Sequence, residues 1–304
     1  MYLKSIWSVL EESSEILGDN YAYPAADKVA EELSLPANFY TWVTAIWSFD
    51  VNPFSIAQFM RCFPYGLAQV NDGRLTSAVG QGYLASDGQG VYRATESGKS
   101  AALRLINVGN EVVAALTPMP KESLRMLGNL LARISGAAFH SPEPPAHVLI
   151  KAKRDLYERT GVFATLEGFI AHCFLLEGHR DDCYFATWSA HGVEGHTWEV
   201  LDALSQGDAL TFADLHSKLS RRGMTEEVHA EDVRELVGRG WAEEGSGVVQ
   251  ITSAGKQVRT EVEAETERLC FLPWSCLNES ELDELARLAG QLHAGLAALA
   301  GNTA

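Results

Sequence analysis

Cations are scarce in this chain: 304 residues carry 24 Lys and Arg against 40 Asp and Glu, a net charge of −16. Phosphate neutralisation supplies most non-specific affinity for nucleic acid, so evenly spread charge of this sign would argue against a nucleic-acid binder. Long apolar runs are missing as well, and none approaches the ~20 residues that a membrane helix needs. The N-terminal stretch meets acid at Glu11 and Glu12, too early for a secretory signal, and shows no small-residue cleavage site. Five cysteines (Cys62, Cys173, Cys183, Cys270 and Cys276) form an odd set without C-x-x-C spacing, which argues against a disulfide framework or a zinc ribbon. No G-x-G-x-x-G, Walker loop, G-x-S-x-G or H-E-x-x-H occurs, and His191 and His196 are five apart rather than four. No cofactor and no metal is therefore expected. With 46% hydrophobic and 21% charged residues, the composition is that of a globular protein with a sizeable core, about two domains long. The expectation is a cytoplasmic monomer or weak dimer with no membrane partner.

The acid is not spread evenly. Residues 1–50 hold 2 Lys/Arg and 8 Asp/Glu, residues 261–304 again 2 and 8, and residues 151–210 hold 5 and 10. Residues 51–104 carry 5 against 3, and residues 211–260 carry 7 against 8. Two near-neutral or slightly basic segments thus lie between acidic ones, which keeps duplex DNA open as a partner.

Those two segments read alike. Val79-Gly80-Gln81-Gly82-Tyr83-Leu84 leads through a Gly-rich tip to Thr95-Glu96-Ser97-Gly98-Lys99. Val237-Gly238-Arg239-Gly240-Trp241-Ala242 leads through another to Thr252-Ser253-Ala254-Gly255-Lys256. Upstream, Phe39-x-Thr41-Trp42 matches Phe185-x-Thr187-Trp188. Downstream, Leu116-x-Pro118 and Leu272-Pro273 each precede an amphipathic run. Matches in the same order predict a duplicated unit over residues 1–140 and 146–304, with a Pro-rich linker at 141–145.

Within the second unit, Phe212, Leu215 and Leu219 share a helical face, and Arg221-Arg222-Gly223-Met224 reads as a turn. Thr225 is placed to cap a second helix that would bury Ala230, Val233 and Val237, with Leu236 alongside. A hairpin from Trp241 to Thr252 and a further helix complete the winged helix-turn-helix order. The arrangement resembles MarR-type regulators, and is more closely similar to an actinobacterial family of tandem winged-helix proteins. Leu175-Leu176-Glu177-Gly178-His179-Arg180-Asp181-Asp182, Arg239-Gly240-Trp241, Thr252-x-x-Gly255 and Pro273-Trp274 carry that second likeness. The resemblance implies a mainly α fold with small β wings: two winged helix-turn-helix lobes in pseudo-two-fold relation around central helices.

Candidate DNA contacts follow from the outward faces of the recognition helices and their surroundings. In the first unit these are Gln69, Asn71, Arg74 and Ser77, with Thr76 beside them and Arg93 on the wing. In the second they are Arg221, Arg222 and Arg234, but that helix face also carries Glu226, Glu227, Glu231, Asp232 and Glu235, which repel phosphate. A ligand site is expected around His179, Arg180 and Asp182, where Arg would clamp an anion and His would transfer protons. Trp42, Trp47 and Trp188 could wall it. The bland alternative is a helix C-terminus at which His179 and Arg180 favour the macrodipole. The leading expectation is a MarR-like regulator in which a small-molecule ligand alters the fit of two lobes to successive major grooves. The rival is a winged-helix scaffold that binds or transforms a small molecule without DNA.

Overall fold

The computed structural model describes residues 2–36, 39–49, 52–144, 147–153, 165–207 and 210–301. The chain is mainly helical with small antiparallel sheets. Helices α1 (Tyr2–Leu17), α2 (Tyr23–Glu32) and α3 (Phe39–Phe49) lead to strand β1 (Phe54–Ser55), helix α4 (Ile56–Cys62) and helix α5 (Ala68–Gly80). A hairpin, β2 (Leu84–Ser86) and β3 (Val91–Ala94), is followed by α6 (Glu96–Ala114) and α7 (Lys121–Phe139). Short α8 (Leu149–Ala152) precedes long α9 (Leu166–Ser189) and α10 (Gly195–Ser205). Then come β4 (Leu210–Thr211), α11 (Phe212–Leu219), α12 (Glu226–Gly238), β5 (Ala242–Gly245), β6 (Val248–Ile251), α13 (Ser253–Cys270) and α14 (Glu279–Gly301). The series strand, helix, helix, hairpin, helix therefore occurs in each half. Both sheets have three antiparallel strands, ordered β1-β3-β2 and β4-β6-β5.

Local chemistry explains the boundaries. Ser55 and Gln58 form a reciprocal capping box at the start of α4. The second hairpin turns through Ser246 and Gly247, both at positive φ (55° and 80°), as a two-residue hairpin loop requires. The first turns through Gly88 and Gly90, also at positive φ, with Asp87 Oδ1 accepting the amides of Gln89 and Val91.

A Thr-x-x-Gly corner joins each wing to the helix after it. Thr95 Oγ1 donates to the Gly82 carbonyl at 2.6 Å and accepts the Gly98 amide at 3.0 Å. Thr252 does the same with Gly240 at 2.6 Å and Gly255 at 3.1 Å. The glycine is obligatory for a steric reason. A Cβ on Gly98 would stand 2.1 Å from the Tyr83 carbonyl oxygen, and one on Gly255 would stand 2.2 Å from that of Trp241. Neither carbonyl can retreat easily, because each accepts the amide of Thr95 or Thr252.

Three large cores result. One lies among α2, α3, α5, α6 and the first sheet, around Trp42, Phe54 and Leu75. A second lies among α10 to α13 and the second sheet, around Trp198, Leu215 and Leu236. The largest joins α1, α7, α9 and α14, where Leu10, Leu131, Phe169, Leu288 and Leu292 are fully enclosed.

Helix α12 sits differently from expectation. Val237 is 40% exposed, whereas Asp232, expected to face outward, is buried together with His229 beside Val233 and Leu236. Polar partners from other elements make this possible. Asp232 Oδ1 accepts from Thr197 Oγ1 and from His196 Nδ1, both at 2.7 Å, and His229 Nδ1 lies 2.9 Å from His216 Nδ1. Thr225 occupies the N-cap position of α12 without a side-chain capping bond. Of the expected linker, Pro145 lies outside the described residues.

The corner glycines yield a stability prediction. Gly255→Ala should cost about 3 kcal/mol through overpacking against a fixed carbonyl. Gly238→Ala, where a new Cβ meets nothing within 4 Å, should be neutral or stabilise by up to about 1 kcal/mol. Urea melts of the two variants beside the parent chain measure both; equal costs would refute the steric account.

Candidate nucleic-acid interface

The described residues include 14 arginines, and ten of them pair with a carboxylate. Arg61, Arg74, Arg93 and Arg221 do not. Arg61 is on α4, Arg74 on α5 and Arg93 on β3, so three belong to the first helix-turn-helix and its wing. The fourth, Arg221, is in the turn between α11 and α12, and its carbonyl accepts from Arg74 Nη2 at 3.0 Å. Of these four, Arg74 and Arg221 are brought together by that bond, and a guanidinium without a carboxylate keeps its charge for a phosphate or another anion. Gln69, Ser77 and Arg93 are exposed here, as expected of contacts. Asn71 is instead buried, with its Nδ2 3.3 Å from Met60 Sδ.

The same contact brings the two helix-turn-helix segments together. A Cβ on Gly223 would lie 3.2 Å from Arg74 Nη2 and 3.3 Å from Val70 Cγ1. One on Gly195, at the start of α10, would lie 2.3 Å from the Pro64 carbonyl oxygen. Tyr65 packs against Phe185 and Trp188, with ring centroids 5.6 and 6.3 Å away, and the Arg222 guanidinium lies 5.3 Å from its ring. The N-terminal end of α5 is thus packed on the turn that precedes α12.

The second motif offers less to DNA. Arg222 is held by both carboxylate oxygens of Glu199 at 2.9 Å, and Arg234 lies 3.7 Å from Glu231. Glu226, Glu227 and Glu231 are exposed on α12, and Glu243 and Glu244 on the wing. Glu235 is drawn aside by Arg239 at 2.9 Å.

The residues expected to form a ligand site point in different directions. They lie in the middle of α9, which continues to Ser189, so they do not form the helix terminus of the capping alternative. Asp182, 2% exposed, accepts the amides of Val148, Leu149 and Ile150 at 2.9, 2.8 and 3.0 Å. It is an internal cap for α8. His179 is fully buried, 3.8 Å from Cys183 Sγ, and its ring stacks on that of His147 with centroids 6.0 Å apart. Arg180 turns to α13 and pairs with Glu263 at 3.0 Å. Trp42 is buried and stacked on Tyr83 at 4.4 Å, and Trp188 is buried and stacked on Trp198 at 6.2 Å. Both are core residues. Trp47 is 46% exposed and meets Phe174 of α9 edge-on at 5.4 Å. Among the described residues, no three His, Cys, Asp or Glu side chains converge to hold a metal.

Burial raises Asp182 to about 6 against the pull of its three amides, and lowers His179 to about 4, with His147 adding to the effect. These shifts act oppositely on stability. Folded Asp182 keeps a proton that the unfolded chain has lost, so its contribution is full below 3.8 and disappears as pH rises through about 6. Unfolded His179 takes a proton below 6.5 that the folded residue refuses until about 4, so stability falls as pH drops through that window. The stability difference between the parent and His179→Gln should therefore grow as pH rises from about 4 to 6.5. Urea melts across that range measure it. A pH-independent difference would mean that His179 titrates alike in both states.

A helix-turn-helix family is matched over residues 91–301, from β3 of the first wing through the whole of the second series of elements. Neither the curated proteins nor the solved structures contain a match. With more than half of its length matched, and with the helix, turn, helix and wing all in place within the matched span, the chain belongs to this helix-turn-helix family.

Proposed function

We propose that the chain is a DNA-binding transcriptional regulator that engages duplex DNA chiefly through its first helix-turn-helix. The observation carrying this reading is the set of four arginines without carboxylate partners, Arg61, Arg74, Arg93 and Arg221, all on or against that motif. We read the halves, residues 1–140 and 146–304, as a duplicated winged-helix unit forming a MarR-like pseudo-dimer in one chain. The matching strand orders and the paired Thr-x-x-Gly corners support that reading. The two motifs differ in their task. Contact between α5 and the turn before α12 favours one composite DNA face over two half-sites about 34 Å apart. The acidic exposed side of α12 favours a supporting role for the second motif.

The rival, a winged-helix scaffold that binds or transforms a small molecule without DNA, draws on the same contact, because the packed end of α5 is the end that usually reaches base edges. Anisotropy titrations against a genomic fragment library separate the two readings. Arg93→Ala should weaken binding and reduce the slope of log K against log salt by about 1. Arg234→Ala, which removes a cation already beside Glu231, should leave both unchanged. Absence of binding at low ionic strength would reject the regulator in favour of the scaffold.

A further inference from the structure

Two histidines meet inside the second helix-turn-helix. His216 of α11 and His229 of α12 place their Nδ1 atoms 2.9 Å apart, with ring centroids 5.0 Å apart. At that distance one nitrogen carries a hydrogen and the other presents a lone pair. His216 is half-buried, whereas His229 has no exposed surface and its Nε2 has no hydrogen-bond partner. Only one arrangement keeps a hydrogen off that enclosed nitrogen: both rings are neutral and His229 Nδ1 donates to His216 Nδ1. Protonating either ring ends it. A charged His216 must donate to His229 Nδ1, which moves the hydrogen of His229 to Nε2, and a charged His229 carries hydrogens on both nitrogens. Two charged rings would also set N–H against N–H. Every added proton therefore encloses an N–H without an acceptor.

The surroundings do not offset this. Burial holds His229 below its ordinary 6.5, with His216 and His196 adding to the effect. Asp232 and Glu199 pull the other way, but both are engaged elsewhere: Asp232 by His196 and Thr197, and Glu199 by Arg222. Glu227 of α12, which feels charge on His216, is exposed to solvent. His196 has a different window. Its bond to Asp232 holds it charged to higher pH, so its contribution is complete below 6.5 and is lost only as pH rises above that value.

We propose that His216 and His229 form an acid-sensitive latch, whose protonation parts α11 from the first turn of α12 and frees the turn between them from α5. That first turn has no side-chain cap at Thr225 to hold it when the histidine bond is lost. The freed turn is the one that carries Arg221, whose carbonyl accepts from Arg74, and Gly223, which packs on Val70. Acid thus acts on the contact between the two motifs from inside the second one. The latch needs no DNA, so its failure and that of the DNA-binding reading are separable.

The test uses the full chain without DNA, in urea melts between pH 7 and 5. In His229→Gln the new amide can accept from a charged His216, so the variant is relieved of the constraint. The ratio of the parent's folding constant to that of the variant should fall with pH, approaching tenfold per pH unit below 6.5. A ratio independent of pH, or one that rises in acid, would overturn the latch. Hydrogen exchange of the parent chain, corrected for the intrinsic pH dependence of the rate, provides a second test that needs no variant. Protection of residues 212–238 should fall between pH 7 and 5 by more than that of α7 in the central core. An equal change in the two segments, or none, would overturn the latch as well.

Discussion

The carboxylate of Asp182 decides where the second half of the chain begins. It stands inside α9 and gathers three consecutive backbone amides from residues 148–150. Withdrawing a carboxylate from water is costly, and three hydrogen bonds compensate only if the amides are held in place. The consequence is positional. His147 and Lys151 come to face α4. From there α9 carries Phe185 and Trp188 to the site where Tyr65 packs, and α10 starts with Gly195 against Pro64.

The meeting of the two helix-turn-helix segments shapes the electrostatics of the surface. Most arginines in this acidic chain are neutralised locally, several by a glutamate three residues earlier on the same helix, as at Arg125, Arg268 and Arg287. Exposed pairs of this kind add little to stability. Their larger effect is subtraction: they leave net positive charge only where no carboxylate is within reach. Arg74 and Arg221 are joined through a backbone carbonyl, which positions the guanidinium of Arg74 without cancelling its charge. The proposed approach of DNA rests on this uncancelled charge at Arg74 and Arg221, and an approach of that kind is sensitive to salt.

Much of this was legible in the sequence, and the parts that were not share a cause. The Thr-x-x-Gly pairs, the Gly-rich hairpins and the helix ends at Gly80 and Gly238 are signals carried by residue type and short spacing, which a reading of the sequence can find. The face that α12 buries is not legible in the sequence because its apolar positions are few. Its rotation is decided by Asp232 and His229, whose partners His196, Thr197 and His216 come from α10 and α11. Asp182 looked like ligand chemistry for the same reason, since its partners lie more than thirty residues away. Arg222 and Arg234 were indistinguishable from Arg221 as letters. Only the folded chain shows Glu199 holding the first and Glu231 near the second.

The central claim is that the two motifs present one composite DNA face rather than two separated ones. Hydroxyl-radical footprinting of the full chain on its best-bound fragment, at low ionic strength, tests it most directly. The account predicts one contiguous protected patch within about one helical turn, centred on the contact made by α5 and the first wing. Two protected segments of equal strength, centred about 10 base pairs apart, would contradict it by requiring α5 and α12 to part and enter successive major grooves.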